Sequence, residues 1–392
     1  MITIENADKA LKDYYLQAVT AQLNNNVSPF FSAIEKSTAN VFGKDVKISV
    51  IRDGSLSVQA CAEDADLPSP YSNRYYEISL PLKNIYGTIM ISDKALRASR
   101  DSAGAFVNLV NAEMEGLISG AQFNFKRMLY GDGNGTLCKI LDRDTEFDDI
   151  IIADYVKDWF LGIRADILPE TGESNYPENL NRPIVEVNKK EKKIGFTGGE
   201  IMGSESFSTG YLAIHGAAGN ELTGLAAIFD SKTLYGYNKK NEPYFKPYEV
   251  KLGSSDSITE DILTDILDNM EENFNSKINM ILCSYATRKK IAALIANDKR
   301  VVNSIDAHTG VGEVTVNGVP VYADTFCPEN VIYFVNTDDF VLSQLCDWEW
   351  LEDEDGKILK QVPGKAAYSA TLVKYAELIC KKPCGQAVLR LS

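Results

Sequence analysis

Two histidines, His215 and His308, are all the imidazole chemistry this sequence holds. A histidine-based triad or zinc site therefore has little to draw on. His215 falls in an alternating run and His308 in a polar stretch. Neither stands in a nucleophile frame, since no G-x-S-x-G and no H-E-x-x-H occurs, and each reads as a structural residue. The seven cysteines are Cys61, Cys138, Cys283, Cys327, Cys346, Cys380 and Cys384. Cys380 and Cys384 have the spacing of half a zinc knuckle, but the other half is missing. Odd in number and scattered, the seven read as reduced thiols of a protein made in a cytoplasm, mostly small core residues.

Three further stretches invite a chemical reading. Gly131-Asp132-Gly133-Asn134-Gly135 could cradle phosphate or calcium. No Lys-Ser/Thr pair follows it, so it is not a Walker loop. Counted as a calcium loop from Asp132, it puts Leu137 where glycine is required and Arg143 where glutamate is required. It reads as a helix stop. The acidic run Glu352-Asp353-Glu354-Asp355 could bind a cation or supply acid/base carboxylates, and a metal-dependent hydrolase built on such residues is the enzymatic alternative. Consecutive acids before Gly356 read more simply as a solvated turn. Lys189-Lys190-Glu191-Lys192-Lys193 is the densest basic run, yet a glutamate interrupts it and no aromatic alternates with it, so a hairpin turn is the reading. No catalytic residue, cofactor site or metal site is assigned, and the expectation is a protein that is not an enzyme.

Composition narrows the class. The chain has 392 residues, 45% hydrophobic and 24% charged, which is globular and implies two or three domains. Its net charge of −15 repels phosphate polymers, which excludes a nucleic-acid reader and a protein lying on an anionic membrane. No apolar run approaches the ~20 residues of a membrane helix, and the first residues do not have the pattern of a signal peptide.

The elements that must carry any function follow from periodicity. Asn6–Leu23 has helical spacing. Ser28-Pro29 starts a second helix, with a cap residue and proline at the first helical position, and Phe30, Phe31, Ile34, Val41 and Phe42 give its apolar face. From Asp45 the period becomes two: strands are expected over 47–55, Ser55–Ala60, Arg74–Leu80 and Tyr86–Ile91, with a proline-broken loop between Glu63 and Pro70. Such a ribbon buries little by itself and needs something to lie against. Asp93–Tyr130 is the clearest helix, about 57 Å long if unbroken at about 1.5 Å per residue.

Thr136–Leu222 is β-rich, with short runs such as Ile184–Val187 and Tyr211–His215 between turn clusters. An aromatic stretch follows, Leu234-Tyr235-Gly236-Tyr237 and Tyr244-Phe245-Lys246-Pro247. Ser257–Phe274 is an amphipathic helix with a Ser257/Glu260 capping box, and Tyr285–Ala296 is another. Ile278–Cys283, Val314–Tyr322, Val331–Phe334, Phe340–Leu345, Ala366–Ile379 and Gln386–Leu391 are expected strands.

This order of elements resembles the tailed-bacteriophage major capsid proteins of the Hong Kong 97-like fold. The resemblance rests on Arg74-Tyr75-Tyr76-Glu77-Ile78 through Ile85-Tyr86-Gly87-Thr88-Ile89 leading into the long helix, and on Leu129-Tyr130-Gly131-Asp132-Gly133 closing it. Leu222-Thr223-Gly224-Leu225, Val316-Asn317-Gly318-Val319-Pro320-Val321 and Ile332-Tyr333-Phe334-Val335-Asn336-Thr337 add to it. It implies an α+β chain with an N-terminal arm (1–44), E-loop (45–92), spine helix of the P-domain (93–135), a β-rich insertion (136–222), an A-domain (223–335) and returning P-domain strands (336–392).

The implied function is self-assembly through pentamers and hexamers into an icosahedral shell around a double-stranded DNA genome. The implied partners are further copies of the chain, portal and scaffolding proteins, and packaged DNA through weak contact only, with decoration proteins left open. The implied location is the virion, assembled in the host bacterial cytoplasm. An encapsulin-like nanocompartment shell is the alternative on the same fold. The inter-subunit surface is expected at Phe30 and Phe31 of the arm and at Tyr75, Tyr76, Ile78, Leu80, Leu82, Ile85 and Tyr86 of the E-loop. Some relatives weld subunits through a Lys–Asn isopeptide bond. Lys83 and Lys94 fall near the right place, but nothing identifies their partners and no crosslink is assigned.

Overall fold

The computed structural model describes residues 28–53, 72–94, 103–144, 149–170, 176–202, 210–253, 256–298 and 314–391, with residue 147 and isolated residues between 58 and 69. The helix expected over Asn6–Leu23, most of the strand Ser55–Ala60 and of the loop from Glu63 to Pro70, residues 95–102 of the long helix, and His308 lie outside the described residues.

Ser28 caps the first helix, α1 (Pro29–Ala33): its hydroxyl accepts the Phe31 N–H, and Pro29 takes the first turn. The helix lasts one turn, not the length its apolar residues suggested. At Ile34 the backbone becomes extended and β1 (Glu35–Ser37) pairs in parallel with a strand near the C-terminus, so tertiary pairing overrides helical spacing. β2 (Val41–Phe42), β3 (Asp45–Asp53) and β4 (Arg74–Pro81) form a three-stranded ribbon, and β5 (Lys83–Ser92) follows. The long helix α2 covers Ala103–Tyr130, 28 residues and about 42 Å at about 1.5 Å per residue.

The next strands are β6 (Thr136–Arg143), β7 (Ile150–Ala153), β8 (Arg164–Leu168), β9 (Arg182–Asn188), β10 (Lys193–Phe196) and β11 (Tyr211–Ile214), before the short helix α3 (Leu225–Asp230). A tight hairpin, β12 (Thr233–Leu234) and β13 (Tyr237–Asn238), precedes β14 (Tyr248–Lys251). Helix α4 (Glu260–Phe274) is capped by Thr259, whose hydroxyl accepts the Ile262 N–H. The expected Ser257 cap is thus displaced by two residues. Then come β15 (Met280–Cys283), α5 (Tyr285–Asp298), β16 (Thr315–Val316), β17 (Val319–Ala323) and β18 (Val331–Val335). β19 (Phe340–Trp350), β20 (Lys360–Gln361), β21 (Ala367–Cys380) and β22 (Ala387–Arg390) end the fold. No helix among the described residues is long and apolar enough to cross a membrane.

The chain divides into two compact units, one within Met1–Arg127 and Ser231–Ser392, the other Met128–Asp230. In the first, β14-β22-β18-β15-β17-β16 form a sheet whose core joins Ile281, Ile332, Phe334 and Leu389 to Leu263, Ile266 and Met270 of α4 and Ile291 of α5. A second sheet runs β1-β19-β21-β20, and β5 pairs with β21 from Lys83↔Ala376 to Ser92↔Ala367. Gly87 of β5 lets α2 approach: a Cβ there would lie 2.6 Å from Leu117 Cδ1.

In the second unit the β-rich stretch is a closed barrel, β10-β7-β6-β11-β8-β9. Its interior is filled by Leu137, Ile140, Ile151, Phe160, Ile167, Ile194, Phe196 and Leu212, so it is a packed core. Closure removes the free edges that several short strands would otherwise present.

Candidate assembly surface

The β3–β4 ribbon is half core and half surface because side chains alternate across a strand. Val46, Ile48, Val50, Tyr76 and Ile78 are buried on one face. Tyr75 is 59% exposed and Ile51, its register partner across the ribbon, 52% exposed. On β5, Ile85, Ile89 and Ile91 point into the core while Tyr86 and Met90 stay exposed. Leu80, Leu82 and Lys83 are half-buried, and Lys94 is exposed.

This pattern corrects the expected interface. Phe30 and Phe31 have no exposed surface: Phe30 meets Phe340 edge-on at 5.2 Å and Phe31 meets Phe125 of α2 at 5.0 Å. They are core rings of their own chain. Tyr76, Ile78 and Ile85 are likewise buried. The exposed apolar side chains here are instead Tyr75 and Tyr86, together with Phe42, Ile51 and Met90, which were not expected at the inter-subunit surface. Counting strand parity from one buried residue would have separated the two faces.

The ribbon, expected to need something to lie against, finds part of it within its own chain. The Tyr76 ring is 5.2 Å from Tyr237, 5.3 Å from Tyr244 and 5.0 Å from Phe245, and Tyr237 stacks on Phe245 at 4.5 Å. Tyr237 donates its hydroxyl to the Glu77 carbonyl at 3.0 Å. The aromatic stretch noticed in the sequence is thus a platform for the ribbon. It is tied to the end of β21: Tyr235 Oη accepts the Cys380 N–H at 2.8 Å and Tyr244 donates to the Lys381 carbonyl at 2.9 Å. The two-residue turn Tyr235-Gly236 holds both residues at positive φ. That is easy for glycine and strained for tyrosine, whose half-buried side chain is held by the Cys380 N–H on its hydroxyl.

Each described chemical candidate is taken up by local structure. His215 Nδ1 lies 2.7 Å from Asp166 Oδ1, and the same carboxylate accepts the N–H groups of Asn181 and Gly216. A carboxylate so occupied ties the middle of β8 to the backbone at Asn181 and Gly216. In the loop after α2, Asp132 accepts the Asn134 N–H, an Asx turn that stops the helix. Asp353 accepts the N–H groups of Asp355 and Lys357, so the acidic run is a turn folded on itself. Burial pushes the Cys380 and Cys384 thiols above their ordinary values. Among the described residues no three His, Cys, Asp or Glu side chains gather to hold a metal ion.

No family model and no curated protein matches the sequence. Solved structures do match. A chain of the cyanophage A-1(L) capsid asymmetric unit superposes with a TM-score of 0.54 at 12% identity, over 93% of this chain and 92% of that one. Chains of the empty and native GTA particle capsids superpose with TM-scores of 0.51 and 0.50 at 11% and 12% identity. They cover 94% and 91% of this chain and 91% and 88% of their own. Matches of this extent at such identity establish the fold: the chain has the α+β fold of these phage and GTA capsid chains.

Proposed function

We propose that this chain is the major capsid protein of a tailed phage, closing through pentamers and hexamers into an icosahedral shell around double-stranded DNA. The observation that carries the reading is the outward apolar face of the ribbon and β5, Ile51, Tyr75, Tyr86 and Met90, on a fold shared with capsid chains. A neighbouring copy that covers it gains about 25 cal/mol per Å² of apolar area, less the cost of association. Head-to-tail contacts of this kind close into rings. The net charge of −15 suits a container that holds DNA without adsorbing it. On this reading residues 1–44 are the arm, 45–92 the E-loop, α2 the spine helix, the barrel an insertion, 223–335 the A-domain and 336–392 the returning P-domain strands. Portal and scaffolding proteins are its partners, the host cytoplasm its place of assembly and the virion its destination.

Expression followed by size-exclusion chromatography and negative-stain microscopy tests this, and closed shells are expected. A monomer or small dimer under all conditions, co-expressed scaffold included, overturns it. Replacing residues 54–73 by a two-residue turn keeps β4 and β5, which carry core residues, and should leave a folded chain that makes no shells. Shells of unchanged yield would remove the ribbon from the interface.

A further inference from the structure

We propose that Tyr76, Glu242 and Arg52 form a latch that fixes the direction in which the β3–β4 ribbon leaves the body, so that the chain presents its outward face in one orientation to an incoming copy. The inference rests on the shell reading for its consequence, but not for its geometry.

The Tyr76 hydroxyl donates to Glu242 Oε2, and Arg52 Nη2 lies 3.8 Å from the same oxygen. The Arg52 guanidinium also sits over the Tyr76 ring, 5.2 Å from its centre. One carboxylate thus gathers a donor from each strand: Arg52 from β3 and Tyr76 from β4. Glu242 is itself held by a tight turn, its N–H on the Asn238 carbonyl and its own carbonyl on the Phe245 N–H, at the rim of the aromatic platform. Val46, Ile48 and Ile78 are buried nearer the Asp45–Pro81 end, so among the described residues this polar grip lies at the outer end of the ribbon's inward face. Arg52 itself sits in the register slip between Ile51 and Asp53, and such an irregularity bends a strand. A core contact would need only the ring of Tyr76. The hydroxyl, the carboxylate and the guanidinium converge at the rim, where the Arg52 side chain is 42% exposed and adds little by burial. Their arrangement controls an angle and contributes little to the core.

The test is hydrogen exchange on the unassembled chain, followed by shell yield. Tyr76→Phe keeps the ring on its platform and removes the hydroxyl. Amides of β3 and β4 should exchange about tenfold or more faster, the scale of one charge-assisted hydrogen bond, while β15 and β18 are unchanged. Glu242→Gln keeps an acceptor for Tyr76 and removes the charge facing Arg52, so a smaller rise is expected. It also carries the test if Tyr76→Phe does not fold. Closed shells should form from Tyr76→Phe at several-fold lower yield. Unchanged exchange in both variants overturns the latch, and faster exchange with wild-type yield overturns its role in assembly. Failure of the shell reading is distinct from either, because the unaltered chain would then make no shells.

Discussion

Lys374 offers the sharpest test of the packing beneath the sheet. Its side chain is fully buried on β21, with Nζ donating to Gln344 Oε1 at 2.8 Å and to Asp347 Oδ1 at 2.6 Å. The ammonium lies 5.6 Å from the centre of the Trp348 ring and 6.0 Å from that of Phe125. Burial holds it below the ordinary lysine value; Asp347 pulls it back up and Lys36 pushes it further down. In the unfolded chain it titrates near its usual ~10.4. Between the lowered folded value and that value the unfolded chain binds more protons, so this residue's contribution rises with pH there. Below that window the whole penalty of burying the charge is present.

Asp347→Ala leaves the cation uncompensated. Breaking a fully buried pair costs about 3–5 kcal/mol. The Asp347 side chain is 36% exposed, and water then replaces part of what is lost. The expected destabilisation is about 2 kcal/mol. Lys374→Met fills the same space and leaves Asp347, which is part-exposed and still accepts the Trp348 N–H, in reach of water, so the expected change near neutral pH is within about 1 kcal/mol. Urea unfolding of the unassembled chain, followed by tryptophan fluorescence from about pH 7 to about pH 10, reads all three proteins. If Lys374→Met loses as much as Asp347→Ala, or keeps the alkaline rise of the parent, the buried charge is a net asset and the reasoning fails.

Two local predictions concern backbone geometry. A Cβ on Gly224 would meet the Met128 carbonyl, and it would lie 2.6 Å from Gly131 O and 2.8 Å from Gly131 N, all backbone that cannot swing aside. Gly224→Ala should therefore destabilise the barrel unit by about 3 kcal/mol and lower its melting temperature by on the order of 10 °C, measured by circular dichroism; Gly87→Ala, which meets only the end of Leu117, is the milder control. Thr259→Ala should cost about 1 kcal/mol of stability through the lost cap of α4, read as a lower urea midpoint, while Ser257→Ala should leave the midpoint unchanged.

Much of this fold is legible in the sequence where periodicity is long and faces are clear. The strands over Arg74–Pro81, Lys83–Ser92 and Ala367–Cys380 and the helices α2, α4 and α5 fall where spacing places them, whereas the single strand expected over Val314–Tyr322 is a hairpin that turns at Asn317-Gly318, both at positive φ. The barrel reads only as β-rich, because six short strands carry no signal of which edges meet. α1 is misread because its apolar residues also satisfy a turn followed by extended chain, and the pairing with β19 that decides the matter lies about three hundred residues away. The platform escapes for a related reason. Tyr235, Tyr237, Tyr244 and Phe245 stand out as an aromatic cluster, yet nothing local says that Tyr76 fills it.

Tyr75 and Tyr76 make the underlying logic concrete. They are adjacent and identical in type, and their place in a run of β-formers gives no reason to treat them differently. The pleat sends one ring out to solvent and the other among three aromatic rings of its own body. Burial therefore fixes the register: a slip of one residue would move Val46, Ile48, Val50 and Ile78 out of the core at once. The inward face thereby determines which side chains the outward face presents, so the exposed rings take their positions from residues on the opposite side of the strand. On the proposed shell reading this division is what an assembling ribbon needs, because its outward residues take their positions from the inward face before a second copy arrives.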